Sequence, residues 1–238
     1  MKIAFITSVF GQRGNNPARF QRIYDVDYFL FSDRDQKDFN TDWEVINIAD
    51  YSEIKNLSCN VRKSRYAKFL GWKLLESMGK KYDFIYYCDV HWSPNANINW
   101  LEISQNSLNE NFTFIQDEHQ ASHCKKGGII AECSHIVHCG RDKKENTLKT
   151  IKYFQEHYPE INLSSPQYYE NTMFGYHPNK LIQSMTEEFW KTYTTANITF
   201  RDQPLWNLML LKYNVKPILT QIRSKFLQTG SYGNHNYT

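Results

Sequence analysis

The segments Ile3–Phe10 and Phe84–Cys88 consist of apolar, β-branched and aromatic residues with few polar interruptions, and Tyr24–Ser32 (YDVDYFLFS) repeats the pattern. A strand with one wet face alternates polar and apolar residues. Runs that are apolar on both faces need cover on both, which a mostly parallel sheet flanked by helices supplies. Each run stops at a turn signal: Gly11, then Asp33-Arg34-Asp35, then Asp89-Val90-His91. Trp43–Ile48 reads as another short strand. Between it and Phe84, Ser58 stands where it would cap a helix that ends at Gly79, a C′ glycine after Ser77-Met78. Strand–helix–strand alternation on this scale predicts an α/β chain with a mostly parallel central sheet.

Beyond residue 95 the pattern loosens. Phe112–Ile115 reads as a strand, and Ile129–Cys139 alternates enough to be one or two more. Glu145–His157, Asn179–Tyr193 and Gln203–Tyr213 have helical periodicity, and Thr229–Thr238 is an irregular tail rich in Gly, Asn and Tyr. No internal repeat or linker divides the chain, so 1–238 is read as a single domain.

At 238 residues and 41% hydrophobic, the chain can bury one sizeable core, and it is neither disordered nor collagen-like. No apolar stretch approaches the roughly 20 residues a bilayer requires, so no membrane span is expected. A net charge of +3 gives no reason to expect a nucleic-acid partner. The first ten residues resemble a signal peptide only superficially: a single Lys2 precedes the apolar run, and no small-x-small cleavage site follows it. Five cysteines, an odd number without framework spacing, are expected to be reduced, which suits a cytoplasmic protein. The sequons at Asn56, Asn111, Asn162, Asn197 and Asn236 are read as chance matches in an asparagine-rich chain.

Asp89-x-His91 at a strand's end is the sharpest chemical signal. Ligands of open α/β sheets gather at the carboxyl ends of strands, and residues two apart there can converge on one ion. A carboxylate with an imidazole suits Mn²⁺ better than Mg²⁺, which prefers oxygen. One helix earlier, Arg62, Arg65 and Lys68 recur every three residues and lie along one face. Such cations suit phosphate, bidentately for arginine and as a point charge for lysine. Late in the chain, Arg201-Asp202-Gln203-Pro204 opens a helix, so that Asp202 is a helix cap, a base or a sugar ligand. The stretch 119–139 holds His119, His123, Cys124, Cys133, His135, His138 and Cys139. Without a C-x-x-C pair it matches no standard zinc spacing, and buried thiols beside pocket-lining histidines are the preferred reading.

Taken in order, the strand ending Thr7-Ser8-Val9-Phe10-Gly11, the YFLFSD run to Asp33, R-x-x-R-x-x-K, the strand into D-x-H, and Arg201-Asp202-Gln203 resemble a GT-A-type glycosyltransferase. The likeness is closest to the plant and bacterial glycosyltransferase-like family and to the small glycosyltransferases of large algal viruses, and it covers roughly residues 1–220. It implies a Rossmann-like GT-A domain, with a nucleotide-binding half at 1–95 and an acceptor-binding half with the C-terminal tail at 96–238. It further implies transfer of a sugar from a nucleotide-diphosphate donor, UDP by preference, to a glycan or other hydroxyl acceptor. Thr7, Val9, Phe10 and Asp33 would hold the nucleoside, and Arg65, Lys68 and Asp89 the diphosphate. Asp89 and His91 occupy the place of D-x-D, with His91 replacing the second carboxylate and His235 as a third ligand to Mn²⁺ (or Mg²⁺). Asp202 is the expected base, ahead of Glu132 and Glu170. Trp92, His119, Glu132 and Glu170 would meet the acceptor.

Three other readings remain open. Gly11-Gln12-Arg13-Gly14 faintly echoes the loop of sugar-1-phosphate nucleotidyltransferases. His91 in place of aspartate would suit a nucleotide- or glycan-binding module without turnover. The His119–Cys139 cluster would suit a zinc-stabilised interaction domain.

Overall fold

Strand β1 (Ile3–Val9) is buried along its whole length and lies at the centre of the fold. It pairs in parallel with β2 (Val26–Ser32) on one side and β4 (Phe84–Cys88) on the other, and β2 pairs in parallel with β3 (Glu44–Asn47). A computed structural model describes residues 1–11, 17, 19–109 and 113–229. Within it the sheet continues from β4 through β7 (Tyr169–Tyr176) to β6 (Phe114–Glu118), in the order β3-β2-β1-β4-β7-β6. Both contacts of β7 are antiparallel, so it alone among these six strands runs against the others. The expected mixed α/β architecture with a mostly parallel sheet is the observed one.

Alternation along the strands divides the core into two layers. Ala4, Ile6, Phe29, Phe31, Ile85, Tyr87 and Phe174 face one way. They pack beneath α1 (Asn60–Ser77), α3 (Ser122–His138), α4 (Lys144–His157), α5 (Lys180–Thr195) and α6 (Asp202–Lys212). Phe5, Tyr28, Leu30, Tyr86 and Met173 face the other way. They are covered by Trp43, by α2 (Trp100–Asn109), and by a two-stranded ribbon of β5 (Trp92–Pro94) and β8 (Phe226–Gln228). No helix among the described residues is long and apolar enough to cross a membrane.

Several local expectations are corrected. The helix before β4 begins after Cys59 rather than being capped by Ser58, although Gly79 does stand past its end at φ +72°. Residues Ile129–Cys139 are helix, not strand: Ile129, Glu132, Cys133 and Ile136 are its buried positions, a spacing of three and four that winds onto one face. Asp202 is the first residue of α6, and Arg201 holds the cap position. One turn on in α6, Trp206 is fully buried and anchors the helix to the core among Phe69, Phe114, Phe174 and Phe189.

Candidate functional site

The strand order reverses between β1 and β4, the crevice position where open α/β sheets bind ligands. Asp89 follows β4 directly. Its backbone N–H donates to the Thr172 carbonyl at 3.0 Å, and its carboxylate accepts from the Tyr87 hydroxyl at 2.8 Å. Beyond the turn, the His91 carbonyl accepts from the Thr229 N–H at 3.0 Å, which ties the end of the β8 ribbon to the D-x-H segment.

The cations of α1 divide by role. Arg62 donates to the carbonyls of Tyr193 and Ile198 and so clamps α1 to the end of α5. Arg65 and Lys68 instead converge on the Asp202 carboxylate at 3.0 and 2.9 Å. Lys68, side chain 3% exposed, also lies 3.9 Å from Asp89. Burial alone would raise the Asp202 pKa, but Arg65 and Lys68 outweigh it and hold the carboxyl well below its usual range. The N-terminus of α6 adds the same sign. Lys68 is pulled the other way: burial lowers its pKa, and Asp202 and Asp89 oppose the fall. The result is a charge chain Arg65–Asp202–Lys68–Asp89, buried at Asp202 and Lys68 and opening at Asp89 to the crevice.

Above it lies a cavity of about 420 Å³ whose wall includes Arg65, Asp89, His91, His119, Glu170 and Gln203, joined by Arg201, Arg141 and Thr172. Residues on both sides of position 95 contribute. Glu170 accepts from Arg223 at 2.8 Å and Thr172 at 2.9 Å, and also borders a second cavity of about 710 Å³ beside Asp117, Glu118 and Arg223. Among the described residues, Asp89 and Glu170 are the carboxylates on the wall of the first cavity.

Other expected residues lie elsewhere. Thr7, Val9 and Phe10 are buried at the end of β1, with Val9 and Phe10 packed in opposite core layers. Asp33 accepts the Gly11 N–H at 3.0 Å on each carboxylate oxygen, joining the ends of β1 and β2. Trp92 is buried in the second core layer, with the Arg223 guanidinium 5.3 Å from its ring centre. Glu132 is buried within α3 beside Cys124 and His123, off the cavity wall. His235 lies outside the described residues, as does the Gln12-Arg13-Gly14 part of the nucleotidyltransferase-like loop. Arg223, Arg141 and Thr172 carried no motif in the sequence. Arg201 stood in plain view beside Asp202 but was read only as its neighbour.

No family model matches the chain, and no curated protein matches it in sequence. Among solved structures it is similar to apo mouse xyloside xylosyltransferase 1, with a TM-score of 0.50 over 92% of this chain and 85% of that one at 9% identity. At that identity the likeness is one of fold, and the fold it supports is the Rossmann-like one of a glycosyltransferase.

Proposed function

We propose that the protein is a metal-dependent glycosyltransferase that moves a sugar from a nucleotide-diphosphate donor, UDP first, to a glycan or other hydroxyl acceptor. One observation carries the reading: a single cavity at the sheet's switch point unites a carboxylate–imidazole pair, Asp89 and His91, with the guanidiniums of Arg65 and Arg201. The glycosyltransferase-like fold agrees with it.

Asp89 and His91 fit a divalent ion in donor chemistry, since both line one polar cavity and Asp89 remains partly exposed. They would hold Mn²⁺ (or Mg²⁺), which supplies charge neutralisation to a leaving diphosphate. Arg65 and Arg201 meet the same charge with directed N–H donors. Lys68 acts at one remove as a positioning residue: buried between Asp202 and Asp89, it sets where the Asp89 carboxylate lies. Asp202, expected from sequence as the base, is a weak proton acceptor because Arg65 and Lys68 already hold its charge. With Asp89 on the metal, Glu170 is the remaining wall carboxylate able to take the acceptor's proton if transfer inverts. The acceptor then approaches past Glu118 and Asp117, carboxylates suited to sugar hydroxyls. His119 and Gln203 complete the wall as sugar ligands.

The test is calorimetric titration with UDP and GDP, each with and without Mn²⁺, on wild type, His91→Ala and Glu170→Gln. Mn²⁺-dependent binding of UDP that His91→Ala abolishes and Glu170→Gln keeps, with transfer lost in Glu170→Gln, is the expected pattern. Binding of neither nucleotide by the folded wild type overturns it.

A further inference from the structure

Helix α3 breaks at Gly128, where φ is +53° and ψ −134°, a conformation essentially reserved for glycine. The chain there presses against a neighbouring loop: a Cβ on Gly128 would meet the Ser165 carbonyl oxygen at 2.3 Å, and Ile129 N–H donates to the Leu163 carbonyl at 2.9 Å. The break changes which side chains meet. Cys124 and Glu132 are eight positions apart, about 12 Å along an unbroken helix. Here the Cys124 Sγ lies 3.3 Å from Glu132 Oε2, and His123 Nε2 lies 3.2 Å from the same oxygen. One ligand atom each from His119, Cys124 and Glu132 falls within 4.8 Å of the others.

We propose that His119, His123, Cys124 and Glu132 form a structural Zn²⁺ site that closes the kink of α3. Tetrahedral Zn²⁺ with bonds of about 2.0–2.3 Å has ligand–ligand edges of about 3.3–3.8 Å. The Cys124–Glu132 and His123–Glu132 separations of 3.3 and 3.2 Å match such edges, whereas His119 must draw in from within 4.8 Å and the His123 ring must turn toward the other ligands. Sulfur, imidazole and a single carboxylate are the donors of a borderline-soft ion rather than of Mg²⁺ or Ca²⁺. A second observation points the same way. Glu132 is 3% exposed, and among the described residues no lysine or arginine pairs with it; its one ion-pair partner is His123. A buried carboxylate needs a counter-charge, and a divalent ion supplies it. On binding, the Cys124 S–H bond breaks, its proton passes to solvent and a Zn–S bond forms; thiolate, carboxylate and ion then sum to zero formal charge. The His119 Nδ1 accepts a long 3.2 Å bond from the Ala121 N–H.

The sequence offers the 119–139 cluster, but without a standard zinc spacing. Zinc spacings are learned from tight turns, whereas here a glycine kink brings together residues eight apart on one helix. His119 also lines the cavity beside Asp89 and His91, so the ion would fix part of that wall, but the inference rests on α3 and not on glycosyl transfer.

The 238-residue protein is stripped with a chelator and titrated with Co²⁺, then Zn²⁺. One equivalent of Co²⁺ showing visible d–d bands and a near-ultraviolet thiolate charge-transfer band, both erased by Zn²⁺, is expected. Cys124→Ser should remove the charge-transfer band. Because that side chain is buried, His123→Gln, on a partly exposed ring, provides the second variant and should weaken Zn²⁺ binding by at least about tenfold. Cys139→Ser and His91→Ala should leave the band in place. Absence of the band in wild type, its survival in Cys124→Ser, unchanged affinity in His123→Gln, or its loss in either control overturns the site.

Discussion

Asp202 shows how much of one residue's role depends on its partners. As an isolated carboxylate late in a chain it reads as a base; between Arg65 and Lys68 it is the anion that holds two buried cations in place. Its pKa is depressed on folding, so its contribution to stability is complete above the unfolded carboxylate pKa and is lost as pH falls through the lower folded value. Asp202→Asn removes that anion and strands Arg65 and Lys68 beside one another. The variant is expected to lose about 3–5 kcal/mol at pH 7, the usual cost of breaking a buried ion pair. Urea denaturation from pH 7 downward checks this: the wild type should lose stability on acidification below the ordinary carboxylate range and converge toward the variant, whose curve is flatter there. Parallel curves would mean that Asp202 is not charged in the folded protein.

At the scale of elements, glycine decides two helix geometries with different costs. Gly79, past the end of α1 at φ +72°, has nothing near an added Cβ, so Gly79→Ala should cost about 1 kcal/mol from backbone strain alone. At Gly128 the same substitution adds a collision with two carbonyl oxygens of the 163–165 loop. Gly128→Ala should therefore cost at least about 3 kcal/mol, combining strain with overpacking against backbone that cannot swing aside. Thermal or urea denaturation of the two variants side by side gives the comparison, and equal losses would show that the α3 kink is not held by its loop. The reading of Ile129–Cys139 as strand failed at this same element. A run of eleven residues holding seven apolar ones satisfies either period locally, and only the spacing of the buried set chooses helix.

For the whole molecule, the switch-point cavity draws on both parts of the chain, Arg65, Asp89 and His91 from before residue 95 and His119, Glu170 and Gln203 from after it. A ligand seated there adds a further link between elements already joined by the Asp202 ion pairs and the Asp89–Thr172 backbone bond. A nucleotide bound at a hundredfold excess over its Kd stabilises the native state by about 2.7 kcal/mol. For a chain of this size that corresponds to a rise in Tm of about 5–10 °C. UDP with Mn²⁺ should produce such a shift, and His91→Ala should lose the Mn²⁺-dependent part. A shift that persists undiminished in His91→Ala would move the metal away from the D-x-H segment.

Composition and pattern sufficed for the sheet's first four strands, for the D-x-H at the end of β4 and for the row of cations on α1, because each is written in contiguous residues: short apolar runs for the strands, a polar triplet at the end of one run, and a three-residue spacing for the helix face. The resemblance to glycosyltransferases arose from the order of those segments. What contiguous residues do not encode is which distant groups meet. Arg65 and Lys68 find Asp202 from the other end of the chain, Glu170 reaches the cavity on a strand that runs against its neighbours, and Cys124 touches Glu132 across a kink. Those contacts exist because two core layers pin the helices at fixed positions on the sheet. A buried charge accepts whatever counter-charge the packing brings within about 4 Å.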